Sequence, residues 1–337
     1  MRAVLVEQYG ELPGVTDVPE PKMAPGGVVL RVHATGLCRS DWHGWLGHDP
    51  DIRLPHVPGH ELAGTITEIG PGVDGWSIGD RVTIPFICAC GTCVQCRAGD
   101  HQVCPNQEQP GFTYWGSFAE YVAVPYAMVN LIRLPDELSF ETAAALGCRF
   151  ATAYRGVTQV ARVRPGEWVA VFGCGGVGLS AVMIAVSRGA RVVAVDTNPD
   201  ALGYAAAAGA ERVLQSGSEV AGLIHDLTGG GASLTIDAIG ADSVVQEALT
   251  ALRPRGRHLQ LGLLPGGVKL DVSRLIGQEL QWLGSHGMAA HSYPEMLAQV
   301  ASGKLRPADL VTRTIGLDET PAALAAMNST GITMITP

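Results

Sequence analysis

Between Gly36 and Gly64 the chain reads GLCRSDWHGWLGHDPDIRLPHVPGHELAG, which gathers a thiol, several imidazoles and several acids into one short stretch. Cys38 and His60 supply one sulfur and one imidazole, ligand types that zinc prefers, with Glu61 beside the histidine and Asp41 three residues after the cysteine. Taken singly, each has an ordinary reading: a small buried apolar side chain for the cysteine, a hydrogen-bonded ring for the histidine. Taken together, they point to metal chemistry.

Two further groups carry chemistry in their spacing. Cys90, Cys93, Cys96 and Cys104 form Cys-x2-Cys-x2-Cys-x7-Cys, followed by a proline. Four thiolates so close can enclose one tetrahedral zinc with no open position, which is the character of a structural ion. Close Cys-x2-Cys spacings also serve iron–sulfur clusters, so an iron–sulfur centre is the rival reading. Cys88 lies just outside the pattern and reads as a spare thiol. The other group is GCGGVG, in which Gly173, Gly175, Gly176, Val177 and Gly178 stand between the strand-like Trp168 to Phe172 and a helix expected to begin near Val177. In that setting the glycines permit a tight turn and let a pyrophosphate approach the start of a helix. A second strand-like run ends in Asp196, whose carboxylate suits the ribose hydroxyls of NAD and would repel the 2′-phosphate of NADP. Cys174, inside the loop, reads as filler.

These groups need elements to hold them. The first third shows short strands broken by Gly and Pro, at Ala3 to Glu7, Val28 to Thr35, Glu61 to Ile69, Arg81 to Ile84 and Ala119 to Val124, as in a small β-barrel. From Phe150 to Gly287 apolar strands such as WVAVFG, RVVAVD, LTIDAIG and HLQLGLL alternate with alanine-rich helical stretches, which predicts a parallel sheet. The last fifty residues read as a helix near Tyr293 to Ser302, a strand at Val311 to Ile315, a helix capped by Asp318 and a final strand near Thr333. Trp168 to Ser187 carries no charge, yet its four glycines and β-rich start argue for a buried strand and turn over a membrane span.

Composition narrows the partners. With 337 residues, 47% hydrophobic and 16% charged, the chain is long enough for two well-cored domains. A formal charge of −9 with no Lys/Arg cluster argues against nucleic acid or an anionic membrane and favours a small molecule. Met1 leads directly into RAVLVE with no signal-peptide pattern, so the expected compartment is the cytoplasm, where eight cysteines read as ligands or thiols.

The run Gly-x-Cys-Arg-Ser-Asp-x-His, with Gly-His-Glu further on, resembles the catalytic-zinc segment of the zinc-dependent alcohol dehydrogenases of the medium-chain dehydrogenase/reductase superfamily. The resemblance extends over nearly the whole chain. It implies an α/β protein: a GroES-like β-barrel catalytic domain at 1–149 and 288–337, with a structural-zinc lobe at 88–105, and a doubly wound parallel-sheet Rossmann domain for NAD at 150–287. It also makes Cys148 the third ligand of the catalytic zinc, where polyol-type relatives commonly have an acid, giving a Cys2His set with Cys38 and His60 and a fourth position for water or substrate.

By the same resemblance Asp41 orients His60. Glu61 either approaches the zinc during ligand exchange or supports the site electrostatically. Ser40 touches the substrate oxygen, His43 ends a proton relay through the cofactor ribose, Arg39 contacts the pyrophosphate, Thr152 packs by the nicotinamide and Phe86 walls the substrate pocket. His48 and His56 read as surface imidazoles. Asn328 to Pro337 lacks an arginine that some relatives direct to the pyrophosphate. The expectation is two zinc ions and one NAD per subunit, an alcohol or carbonyl substrate, and a homotetramer, since the connection from Cys104 to Ala119 is short. A polyol, amino-alcohol or formaldehyde-type dehydrogenase is the neighbouring reading; a zinc-holding relative without turnover belongs to another class.

Overall fold

The computed structural model describes residues 1–264, 266–327 and 330–337, so Asn328 and Ser329 of the terminal stretch lie outside the described residues. The chain divides into two compact units: Met1–Ala151 with Gly287–Ala301 and Val311–Pro337, and Thr152–His286 with Ser302–Leu310.

The first unit is built on an antiparallel sheet whose longest strand, Val28–Leu37, is almost wholly buried. Glu61–Ile69 and Tyr121–Val124 pair with it in antiparallel register, and Arg81–Thr83 and Ile132–Arg133 continue the sheet. Its other side is completed from far along the chain: Thr333, Met334 and Ile335 of the strand Ile332–Thr336 face Leu37, Gly36 and Thr35, and Val311–Gly316 adds outside that in parallel. A small two-stranded sheet joins Arg2–Leu5 to Gly14–Asp17. Two apolar clusters fill this unit, one around Leu30, Leu62, Ile66 and Ile84, the other around Val4, Leu37, Phe118 and Ile335.

The second unit is a six-stranded parallel sheet in the order Arg212–Gln215, Arg191–Asp196, Trp168–Phe172, Ala232–Asp237, Leu252–Gln260, Gln281–Gly284. In chain order that is 3-2-1-4-5-6, the doubly wound arrangement that binds nucleotides at the carboxyl ends of its central strands. The central strands are mainly apolar because parallel strands are covered on both faces. Gly176–Ser187 is a helix packed on nearly all sides, which accounts for the charge-free run from Trp168. Among the described residues, no helix is long and apolar enough to cross a membrane.

Two expectations need correction. Asp318 does not cap the last helix: the chain enters Thr320–Ala326 through a 3-10 turn at Leu317–Glu319, whose Glu319 carboxylate accepts the Gly316 amide at 3.0 Å, while Asp318 pairs with Arg2. His56 is not a surface imidazole but is buried, 3% exposed. The strands Arg212–Gln215 and Gln281–Gly284 escape the apolar pattern because they lie at the two edges of the sheet and stay partly exposed.

Candidate metal and cofactor sites

Cys38 ends the long central strand and opens the short helix Arg39–Trp45. Asp41, one turn in, folds back so that its Oδ2 accepts the Cys38 amide at 2.9 Å. Its Oδ1 accepts the Gly59 amide at 3.1 Å and the His60 Nδ1–H at 2.9 Å. This 1% exposed carboxylate therefore ties the cysteine's backbone to the histidine's ring. Because Nδ1 carries the proton toward Asp41, Nε2 is the nitrogen left to take a second proton or an ion, and that atom is buried with no hydrogen-bond partner. Cys148 arrives from elsewhere, within a π-helical turn, Leu146–Phe150, that follows the helix Phe140–Ala145 capped by Ser139. Turns of this kind break the helical register and recur at functional sites.

The ligand atoms of Cys38, His60 and Cys148 lie within 4.8 Å of one another. The neighbouring Cys148 thiol holds Cys38 well below the ordinary thiol range, while Cys38 and burial hold Cys148 well above it. Burial works against charge on His60, but Asp41 and the Cys38 sulfur outweigh it and raise the ring well above its usual value. Such surroundings call for a positive charge at Nε2. Two soft sulfurs, an orphaned imidazole nitrogen and a flanking carboxylate fit a zinc ion.

Around this set, Ser40 Oγ lies 3.8 Å from Cys38 Sγ. The centroids of the Phe86 and Phe112 rings stand 6.1 and 5.2 Å from that of the His60 ring, so Phe112 is a second aromatic ring beside the one expected. Arg39 reaches the Met327 carbonyl at 3.3 Å and lies over the Trp42 ring. His48 is not an idle imidazole, because its Nδ1 meets His43 Nδ1 at 3.0 Å. Burial, His48 and Arg39 lower the His43 value, with the Cys38 sulfur opposing.

The residue that the sequence did not disclose is Arg149, which is buried against Glu61. Its amide and Nε donate to Glu61 Oε1 at 2.9 and 3.0 Å, and Nε and a terminal nitrogen donate to Oε2. Burial raises the Glu61 carboxyl while the Arg149 guanidinium opposes that rise. The Tyr293 hydroxyl donates to the Gly147 carbonyl at 3.0 Å and braces the same turn.

The second sulfur group is equally compact. Cys90, Cys93, Cys96 and Cys104 bring their sulfurs within 4.8 Å of each other, and none forms a disulfide. The amide of Cys96 donates to Cys93 Sγ at 3.4 Å and that of Cys90 to Cys104 Sγ at 3.5 Å, the pattern that supports thiolates around an ion. Cys88 stays outside, its thiol pushed up to about 12 by burial.

In the second unit, Gly173 has a φ of 90° and ends its strand, and a Cβ on Gly178 would collide with the Gly173 carbonyl. A Cβ on Gly175 would meet nothing, so the face of the loop at the start of the helix is open to a ligand. Asp196 supports this turn from the next strand: its carboxylate accepts the Cys174 amide at 2.6 Å and the Asn198 amide at 2.8 Å. Cys174 is thus part of the turn's bracing through its backbone. Four lone-pair sites on the carboxylate leave capacity for ribose hydroxyls. Thr152 is buried at the start of this unit.

Two family models match the chain: the alcohol dehydrogenase GroES-like domain over residues 24–136 and the zinc-binding dehydrogenase over 176–302. An alcohol dehydrogenase of Geobacillus stearothermophilus is 34% identical over 91% of this chain and 90% of its own length. An NAD-dependent alcohol dehydrogenase of Sulfurisphaera tokodaii is 32% identical, covering 96% and 95%, and an L-threonine 3-dehydrogenase of Rhizobium johnstonii is 31% identical, covering 93% and 91%. The crystal structure of the alcohol dehydrogenase of Aeropyrum pernix superimposes with a TM-score of 0.92 at 29% identity, with all of both chains covered.

Proposed function

We propose, because this chain belongs to the zinc-type alcohol dehydrogenases of the medium-chain dehydrogenase/reductase superfamily, that Cys38, His60 and Cys148 form the centre at which it interconverts alcohols with aldehydes or ketones. The observation that carries this reading is the buried, unpartnered His60 Nε2 with the Cys38 and Cys148 sulfurs gathered within 4.8 Å of it and of each other. When bound, zinc would supply a Lewis acid for the substrate oxygen and NAD would supply the hydride acceptor.

The chain's own groups then have distinct tasks. Asp41 fixes the His60 ring through Nδ1, so that only Nε2 is offered to the ion. Ser40, next to the Cys38 sulfur, accepts the hydroxyl proton of the substrate, and His43 receives it at the other end of the relay. A histidine suits the last place because its ordinary value near 6.5 allows uptake and release close to neutrality. Phe86 and Phe112 give the substrate an apolar wall. Residues 150–287 take the cofactor: Gly173, Gly175, Gly176, Val177 and Gly178 face the pyrophosphate with Arg39, Asp196 selects NAD, and Thr152 packs against the nicotinamide. Cys90, Cys93, Cys96 and Cys104 hold a second, structural zinc. The enzyme works in the cytoplasm as a homotetramer.

A panel of primary, secondary, polyol and amino alcohols, with the matching carbonyls and NADH, tests the reading by absorbance in both directions. Turnover of simple alcohols with NAD supports it. Turnover confined to threonine-like amino alcohols would move the substrate class, and a zinc-loaded protein inert toward every member would refute it. Light scattering that gave a monomer at micromolar concentration would remove the tetramer.

A further inference from the structure

Glu61 follows His60 directly, and Arg149 follows Cys148. We propose that the Glu61–Arg149 pair is a clamp that staples these two ligand-bearing segments together and keeps Glu61 out of the metal's coordination sphere. Arg149 is thereby a positioning residue, and the inference rests on the zinc-centre reading above.

Hydrogen bonding is the first argument. Three N–H groups of Arg149 converge on the Glu61 carboxylate: the backbone amide on Oε1, a terminal nitrogen on Oε2, and Nε shared between the two oxygens. A carboxylate offers about four lone-pair positions, so these donors occupy most of them and both oxygens are already engaged. Packing is the second. A Cβ on Gly36 would collide with Glu61 Oε2 and approach an Arg149 terminal nitrogen to 3.0 Å, and one on Gly147 would stand 3.0 Å from the Glu61 Cα. Gly36 therefore lies against the carboxylate and Gly147 against the Glu61 backbone, so side chains larger than hydrogen at either position would disturb the pair. The third argument is electrostatic. Both side chains are almost entirely buried, where an uncompensated charge is costly, so moving Glu61 to the ion would strand the guanidinium. Because the Arg149 amide is one of the donors, the clamp also fixes the peptide just beyond the Cys148 ligand.

The test substitutes cobalt(II) for zinc at the centre and compares the wild-type holoenzyme with Arg149→Met, Arg149→Lys and the double variant Glu61→Gln/Arg149→Met. Cobalt reports by its visible spectrum: with zinc retained by the four-cysteine lobe, thiolate charge-transfer bands establish that Cys38 and Cys148 bind it, and ligand-field bands report coordination number. Freed by Arg149→Met, Glu61 enters the sphere, so the ligand-field bands weaken and shift, and the double variant restores them. Arg149→Lys keeps a charge without the fork and shifts the bands part of the way. Release of the ion to a chelator quickens by about tenfold or more in Arg149→Met, the scale on which partners of metal ligands act. Unchanged ligand-field bands and release in Arg149→Met overturn the clamp. If that variant does not fold, unchanged bands and release in Arg149→Lys do so. Ligand-field bands that persist in altered form in the double variant also count against it, since they would show that Glu61 is not the group that moved. Absence of thiolate bands in the wild type would instead sink the metal centre itself.

Discussion

Replacing Asp41 by asparagine isolates what a single buried carboxylate contributes to the metal centre. Three donors converge on its two oxygens: the Cys38 amide on Oδ2, and the Gly59 amide with the His60 ring on Oδ1. Asparagine nearly matches the shape but turns one oxygen into an amino group, which must face at least one of those donors. A buried donor left unpaired costs about 1–3 kcal/mol of stability. The ring also exchanges an anionic acceptor for at best a neutral amide oxygen, and such changes behind a metal ligand weaken metal binding about 10- to 100-fold, or about 1.4–2.8 kcal/mol. Asp41→Asn should therefore release the catalytic ion to a chelator one to two orders of magnitude more readily, while a fold monitored by circular dichroism remains and melts at a lower temperature. Competition between the protein and a chromophoric chelator measures the first quantity, with the ion of the four-cysteine lobe as an internal reference. Release within threefold of the wild type, in a protein that folds normally, would mean that the Asp41 bonds do not support the ion.

Three other outcomes follow from the same geometry. Metal analysis should find two zinc ions per chain, and Cys93→Ser should lose the lobe's ion and fold poorly before its chemistry suffers; a fully active wild type with one zinc would contradict the lobe assignment. Asp196→Gly should narrow the preference of kcat/KM for NAD over NADP and weaken both cofactors, because Asp196 also accepts the Cys174 and Asn198 amides; a preference unchanged in the variant would remove Asp196 from cofactor choice. His43 is held below the usual imidazole value by burial, His48 and Arg39, so it is neutral above that lowered value and protonated only below it. Alcohol oxidation should lose its base on the acid side of the ordinary histidine range, and His43→Gln should slow the reaction near neutrality with recovery at higher pH. A pH–rate profile identical to the wild type would make His43 a bystander.

What could be read from the sequence was what local chemistry writes there. The four-cysteine lobe and the GCGGVG turn are each confined to a few residues, so spacing alone carries them. The parallel sheet was legible in its central strands, which are apolar on both faces, and lost at Arg212–Gln215 and Gln281–Gly284, where exposure removes the signal. Arg149 could not be read because its partner stands 88 residues away and no periodicity marks a buried ion pair. The tie between His48 and His43 depends on how the chain curls after the helix Arg39–Trp45, which residue types do not specify. Asp318 misled because an acid ahead of a helix resembles a cap whether or not a 3-10 turn lies between.

The strand that ends in Cys38 has as one neighbour Ile332–Thr336, and the turn that carries Cys148 is braced by Tyr293. A ribosome must therefore deliver the whole nucleotide-binding unit, itself made mostly of one unbroken stretch, before either sulfur has its final surroundings. During synthesis the sheet of Thr152–His286 can close while the earlier residues still wait for a missing edge, since domains fold as units as they emerge. An ion held by Cys38, His60 and Cys148 would accordingly find its final surroundings only in the finished polypeptide. The four-cysteine set, complete by Cys104, would be able to take an ion long before.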